Sequence, residues 1–162
     1  MKAKHIIKLV ASLLLPLAIG GIAGIFTTEA IPGWYASLNQ PWFNPPNWVF
    51  GPVWTMLYII LGFSLFLIWK LPSGKERNQA ILVFMMQLLF NFGWSFFFFH
   101  FKMIGLALLD IVVLWIIIVA MLVRFYKLKP VAAYINILYL LWVTFATVLN
   151  VAYFFLNQPK AC

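Results

Sequence analysis

Apolar residues fill five stretches of the chain, Ile6–Phe26, Pro52–Trp69, Ala80–Phe99, Gly105–Phe125 and Val131–Leu156, with the polar residues gathered mainly between them. Each stretch has the length a helix needs to cross a bilayer, roughly 20 residues. No segment alternates apolar and polar positions as a lipid-facing barrel strand must. The pattern therefore predicts an all-α membrane protein, one transmembrane domain over residues 1–162 built as a bundle of five spanning helices. Pro72 and Gly74 break the link after the second stretch. Pro130 stands in the first turn of the fifth, where a missing N–H costs nothing. The links after the second, third and fourth stretches are short, so consecutive helices should be antiparallel neighbours. The first connection is different: at about 25 residues it is long for a compact domain, and loops of that length are usually functional.

Polar positions inside the apolar runs fall on helical faces. Gln87, Asn91, Trp94 and Phe98 recur at spacings of four, three and four, which puts them on one side of a helix. Tyr139, Trp142, Ala146, Asn150 and Tyr153 share a face of the fifth helix, and Trp54, Tyr58, Leu61, Leu65 and Trp69 share one of the second. Lipid offers amides nothing, so these faces should turn into the bundle. Taken singly, each amide is helix–helix glue, worth about 0.6 kcal/mol. Together the three stripes suit a pocket with an apolar body and a few polar contacts.

Composition agrees with the pattern. The 162 residues are 65% hydrophobic and 9% charged, against about 25% charged in a soluble domain. The net charge of +8 does not indicate a nucleic-acid partner, because the basic residues form short patches beside apolar runs and no folded basic face. Their distribution sets an orientation instead. Lys2, Lys4, Lys8, Lys70, Lys75, Arg77, Arg124, Lys127 and Lys129 fall on one side, and Lys102 and Lys160 on the other. By the positive-inside rule the N-terminus is cytoplasmic in a bacterial cell membrane, and the first loop and C-terminus face outward. The basic start and apolar centre resemble a signal peptide, but the apolar run is too long for a signal core of about 7–15 residues, so a retained first helix is expected. Its Gly20 and Gly24 form a GxxxG pair, suited equally to a homodimer interface and to packing within the bundle.

Residues 34–54, which take in most of the first connection and the start of the second helix, hold half of the eight tryptophans. Trp34, Trp42, Trp48 and Trp54 lie there among Pro41, Pro45, Pro46 and Pro52, an aromatic and stiff segment that suits an interfacial anchor or a flat apolar ligand. Catalytic motifs are scarce. Asp110 is the one acid placed within an apolar run, a functional candidate by default, with an interfacial carboxylate bonded to an indole or to Lys102 as the plainer reading. His100 is a candidate haem ligand but more simply a solvated interfacial histidine. No HxxxH, CxxC, paired-carboxylate or glycine-rich phosphate motif occurs, and the single cysteine, Cys162, builds no cluster. No metal site and no required cofactor are expected. Five helices do not divide into two halves, which argues against an inverted-repeat transporter.

The motifs in combination resemble the TspO/MBR family of tryptophan-rich sensory proteins and mitochondrial translocator (peripheral benzodiazepine receptor) proteins. The resemblance runs from Pro16 to about Asn157. It is carried by WYASLNQPWFNPPNWVFGPVWTMLY in the first loop, by Gln87-x-x-x-Asn91-x-x-Trp94, by Ala107-x-x-Asp110, and by Tyr139-x-x-Trp142-x-x-Phe145-Ala146-x-x-x-Asn150. It implies a five-helix bundle, commonly a homodimer, with a pocket for porphyrin-type tetrapyrroles such as protoporphyrin IX and for other hydrophobic small molecules, sterols or benzodiazepine-type drugs among them. The implied ligand-binding residues are Trp54, Asn91, Trp94, Tyr139, Trp142, Ala146, Leu149 and Asn150. Trp34, Trp42, Pro45, Pro46 and Trp48 would form the lid. Porphyrin enters as ligand, or as substrate if the chain degrades it in light with oxygen, in which case Trp54 and Trp142 are the catalytic candidates. Transport of tetrapyrroles or lipids is a further alternative. The chain departs from the family pattern at Phe43, Leu138 and Leu106, and at Val151 and Phe155, where the sterol motif is not intact; sterol binding is the less supported.

Overall fold

The computed structural model describes residues 3–158, so Lys2, Lys160 and Cys162 lie outside the described residues. Among those described, all regular structure is helical: α1 (Ala3–Ala30), α2 (Asn47–Trp69), α3 (Lys75–Ser95), α4 (Ile104–Leu128), a short α5 (Pro130–Tyr134) and α6 (Ile137–Leu156). With α5 and α6 taken as one interrupted span, five helices are long and apolar enough to cross a membrane. The residues that fail to be buried are themselves apolar, Leu14, Leu89, Leu109 and Leu141 among them, each at least 60% exposed. In water such a surface would drive aggregation; in lipid it is the ordinary outside of the bundle.

The ends of the first connection differ from the sequence expectation. Helix α1 does not stop near Phe26. It runs to Ala30 and continues as a wider π-helical turn, Ile31–Tyr35. A regular helix would set the Pro32 ring against the carbonyl one turn back, and the wider turn relieves that clash. At the other side, α2 starts at Asn47 and contains Gly51 and Pro52 in its body. The free connection is therefore only residues 38–46. Trp34 and Trp48, expected in the loop, belong to helical turns, and Trp42, Pro45 and Pro46 remain in it.

Contacts between α1 and α2 and between α3 and α4 dominate the packing. Glycines allow the first pair to close. A Cβ added at Gly62 would lie 2.7 Å from the Ser12 carbonyl oxygen and from Leu13 Cα, and one at Gly20 would lie 2.1 Å from the Tyr58 ring. Of the GxxxG pair, Gly20 is thus engaged within the bundle, whereas nothing lies within 4 Å of a Cβ at Gly24. At the basic end, Lys8 Nζ donates to the Trp69 carbonyl oxygen at 2.9 Å and sits 5.7 Å from its ring centroid. The start of α1 and the end of α2 therefore share a side, as the charge asymmetry requires. The fifth span breaks at residues 135–136, where the fully buried Asn136 donates from Nδ2 to the Ala132 carbonyl at 2.7 Å.

Candidate functional site

The stripes on α2, α3 and α6 meet at the bundle centre. Tyr58 Oη donates to Asn91 Oδ1 at 2.6 Å, Asn91 Nδ2 donates to Tyr139 Oη at 3.1 Å, and Tyr139 Oη donates to Gln87 Oε1 at 2.8 Å. This chain ties three spans together where no water competes, and it fixes their rotation. Asn91 and Tyr139 are consequently part of the polar core and do not line a cavity. Gln87 Nε2 is left buried without a partner.

One turn toward the loop, the core becomes aromatic. Trp54 stands among four rings. It stacks on Tyr58 at 5.6 Å and lies 6.4 Å from Trp94, 6.4 Å from Tyr139 and 6.5 Å from Trp142, the last edge-on. Trp94 is held by a hydrogen bond from its Nε1 to Asn150 Oδ1 at 2.9 Å, and Asn150 Nδ2 donates to the Ile104 carbonyl at 3.2 Å. Trp54, Trp94, Trp142, Ala146, Leu149 and Asn150 all border one inner void, together with Tyr35, Phe50 and Tyr153 among others. The void measures about 20 Å³, which is room for about one water. Trp142 Nε1 and Tyr153 Oη are buried with no partner, leaving two donors at the wall of this inner site.

The connection closes over the inner site. Tyr35 is buried and donates from Oη to Asn44 Oδ1 at 2.9 Å, and Phe43 meets Phe145 of α6 edge-on at 6.4 Å. A reciprocal clasp holds its start: Asn39 N donates to Asn157 Oδ1 at 2.8 Å, and Asn157 Nδ2 donates to the Asn39 carbonyl at 3.1 Å. The named lid residues have separate places. Trp34 packs edge-on against Phe98 at 5.4 Å. Trp42 and Trp48 are 94% and 75% exposed, as interfacial anchors are. Pro45 is half-buried and Pro46 exposed.

A second space lies on the other side of Trp54. It is a cleft of about 430 Å³ between α1 and α2, within the ~300–1,000 Å³ range of ligand sites. Phe50, Trp54, Trp94 and Phe99 border both spaces, so this aromatic layer is the partition between them. Gly20 and Gly24 line the cleft.

The remaining candidates sit elsewhere. Asp110 is 9% exposed and pressed against α3: a Cβ at Gly93 would lie 3.0 Å from its Oδ1, and its Oδ2 is buried with no hydrogen-bond partner. His100 stacks on Phe96 at 4.7 Å, outside the inner site. Sequence reasoning missed Tyr35 as a site residue because it read the residue as loop, and missed the clasp because two asparagines 118 positions apart carry no local signal. The Phe96–Phe99 run was visible, but the π-helical turn at Phe96–His100 re-aims its rings, so spacing could not say which ones reach the site.

The model of the TspO/MBR family matches residues 12–156, taking in every helix that borders the two spaces. The chain belongs to the TspO/MBR family. It is 39% identical over 154 residues to the tryptophan-rich protein TspO of Archaeoglobus fulgidus, covering 94% of this chain and 99% of that one. It is 36% identical over 130 residues to the tryptophan-rich sensory protein of Cereibacter sphaeroides, covering 79% and 80%. The human translocator protein is 36% identical over 119 residues, covering 72% and 70%. A TspO/MBR chain with five apolar spans is a multi-pass integral membrane protein.

Proposed function

We propose that this TspO/MBR protein is a membrane receptor for a porphyrin-type tetrapyrrole, protoporphyrin IX as the type ligand, held at the inner site between Trp54, Trp94 and Trp142. The observation that carries the reading is the indole array around Trp54. Flat aromatic faces are what a flat macrocycle stacks on, and the neighbouring Ala146 leaves space where a larger side chain would fill it. Trp142 Nε1 and Tyr153 Oη supply donors for acceptor atoms at the ring edge. The inner void is far smaller than any tetrapyrrole, so entry requires the connection at 38–46 and the phenylalanines beneath it to move outward. The test is a titration of the purified protein with protoporphyrin IX, followed by tryptophan quenching. Trp142→Leu should weaken binding by about 10-fold or more; unchanged affinity in that variant would overturn the site.

The edge-on pair Trp54 and Trp142, at 6.5 Å, favours one second reading. An indole in contact with a photoexcited porphyrin is placed to lend it an electron. The reduced porphyrin passes that electron to oxygen, and the superoxide so formed adds to the macrocycle. The adduct returns an electron to the indole cation, so that the porphyrin and not the protein is oxidised and the ligand is degraded. A defined product in light and none in the dark is the expected signature. Equal turnover by a Trp54→Phe/Trp142→Phe double variant rules the reading out.

A further inference from the structure

The basic end of the bundle holds an opening far from the aromatic layer. It is a groove of about 470 Å³ between the start of α3 and the end of α4. Its polar walls are Glu76 and Gln79 from α3 and Arg124 and Lys127 from α4. Two contacts fix how these helices face each other. Arg124 Nη1 donates to Gln79 Oε1 at 3.0 Å, and further along Gly93 meets Asp110. Both follow one antiparallel register, and that register sets Glu76 opposite Lys127, one turn nearer the helix ends. Side chains on a helix lean toward its N-terminus. Lys127 therefore leans toward Arg124, while Glu76 leans away from both, toward the water beyond the bundle. The groove thus sorts its charges by depth, two cations inside and a carboxylate outside. Arg124 commits one N–H to Gln79 and has others to give. Toward the middle of the bilayer the same stripe of α4 turns apolar, with Ala120, Ile116 and Val112 at intervals of four residues, all exposed.

We propose that this groove binds a membrane glycerophospholipid whose headgroup joins a phosphodiester to a primary ammonium, phosphatidylethanolamine being the simplest. The phosphate sits between Arg124 and Lys127, where a guanidinium fork matches its oxygens. The ammonium meets Glu76, and an acyl chain follows Ala120 and Ile116. The spacing suits the headgroup: Glu76 lies three residues from Gln79, about 4.5 Å along the helix axis, and a two-carbon bridge holds the phosphate and ammonium a similar length apart. Basic pockets between spanning helices at this depth take lipid headgroups, and the exposed apolar stripe below the cations accepts the rest of the molecule. A soluble phosphodiester would use only the polar half. A headgroup without an ammonium would leave Glu76 facing a second anion. The groove shares no residue with the inner site or with the cleft between α1 and α2, so it stands independently of the tetrapyrrole reading.

Native mass spectrometry of the delipidated full chain, titrated with single lipids, tests the proposal. Phosphatidylethanolamine should bind about 3-fold more tightly than phosphatidylcholine, whose methylated nitrogen has no hydrogen to donate to Glu76. Arg124→Gln/Lys127→Gln should weaken phosphatidylethanolamine about 10-fold. Lys4→Gln/Lys70→Gln removes as much charge from the same end but outside the groove, and should bind as the parent does. Glu76→Gln should weaken phosphatidylethanolamine about 3-fold and leave phosphatidylglycerol no weaker. Thermal unfolding checks that the variants keep the fold. Lys127→Gln alone leaves the Arg124–Gln79 bond in place and should show part of the loss, so it carries the test if the double variant unfolds. Free glycerophosphoethanolamine at the lipid's concentration should not displace it. The proposal is overturned if phosphatidylcholine binds equally well, if the folded groove variants bind as the parent does, or if Lys4→Gln/Lys70→Gln loses as much as they do. It is overturned too if Glu76→Gln treats both lipids alike, or if the soluble headgroup displaces the lipid, which would give the groove to a soluble phosphodiester.

Discussion

Gly20 and Gly24 lie one helical turn apart on α1, and their surroundings differ. A methyl group at Gly20 would strike the Tyr58 ring at 2.1 Å, while at Gly24 it would meet open space. Gly20→Ala should therefore destabilise the protein by about 1–3 kcal/mol through overpacking. Gly24→Ala should stabilise it by about 0.5–1 kcal/mol, since alanine orders a helix at lower entropic cost than glycine. Thermal unfolding in one detergent compares the two directly. The same measurement addresses Asn91, whose amide serves two buried tyrosine hydroxyls. Asn91→Leu leaves both hydroxyls without this partner and should cost about 1–3 kcal/mol, whereas Tyr58→Phe removes one bond and should cost about 0.6 kcal/mol. The spacing of Gln87, Asn91 and Trp94 told their shared face because amides do not face lipid. It did not tell which tyrosine each amide meets, because that depends on how the helices rotate against one another. Asn91 and Tyr139 were thus legible as inward-facing but not as core rather than wall.

At the scale of elements, the five spans were legible because each is a long apolar run, and the connection was legible as special but not in its true length. Pro32–Gly33 lies inside the connection bounded by Phe26 and Pro52, and Gly51–Pro52 at its far edge. The structure carries both inside helical turns, the first through a local widening and the second within α2, and leaves a nine-residue connection at 38–46. This connection is held at Asn157, Tyr35 and Phe145. Asn157→Ala removes the clasp and leaves the bundle contacts in place. Hydrogen exchange should then accelerate at residues 38–46 and stay unchanged in α2, α3 and α4. Equal acceleration throughout would mean that Asn157 holds the bundle rather than the connection.

The whole molecule carries an asymmetry that the charge pattern announced and the helix order preserves. The loop end leaves Trp42 and Trp48 exposed, while Lys8, Lys70, Arg124 and Lys127 gather at the opposite end. Single cysteines at Trp42→Cys and Lys127→Cys, in a Cys162→Ser background, should label oppositely with an impermeant maleimide on intact bacterial cells: Trp42→Cys reacts and Lys127→Cys does not. The reverse result would invert the orientation. Between these ends the bundle places one aromatic partition, with a nearly filled inner site on one side and an open cleft on the other. The tryptophan-rich signature was legible as an aromatic surface. That it serves two spaces was not, because the second space arises from where α1 and α2 part company. Whether the inner site is the tetrapyrrole site is tested most directly at Ala146, 7% exposed at its wall. Protoporphyrin IX titrated into Ala146→Phe should bind about 10-fold or more weakly than into the parent, in a variant that still unfolds cooperatively although overpacking lowers its midpoint. Equal affinity in the folded variant would contradict the assignment.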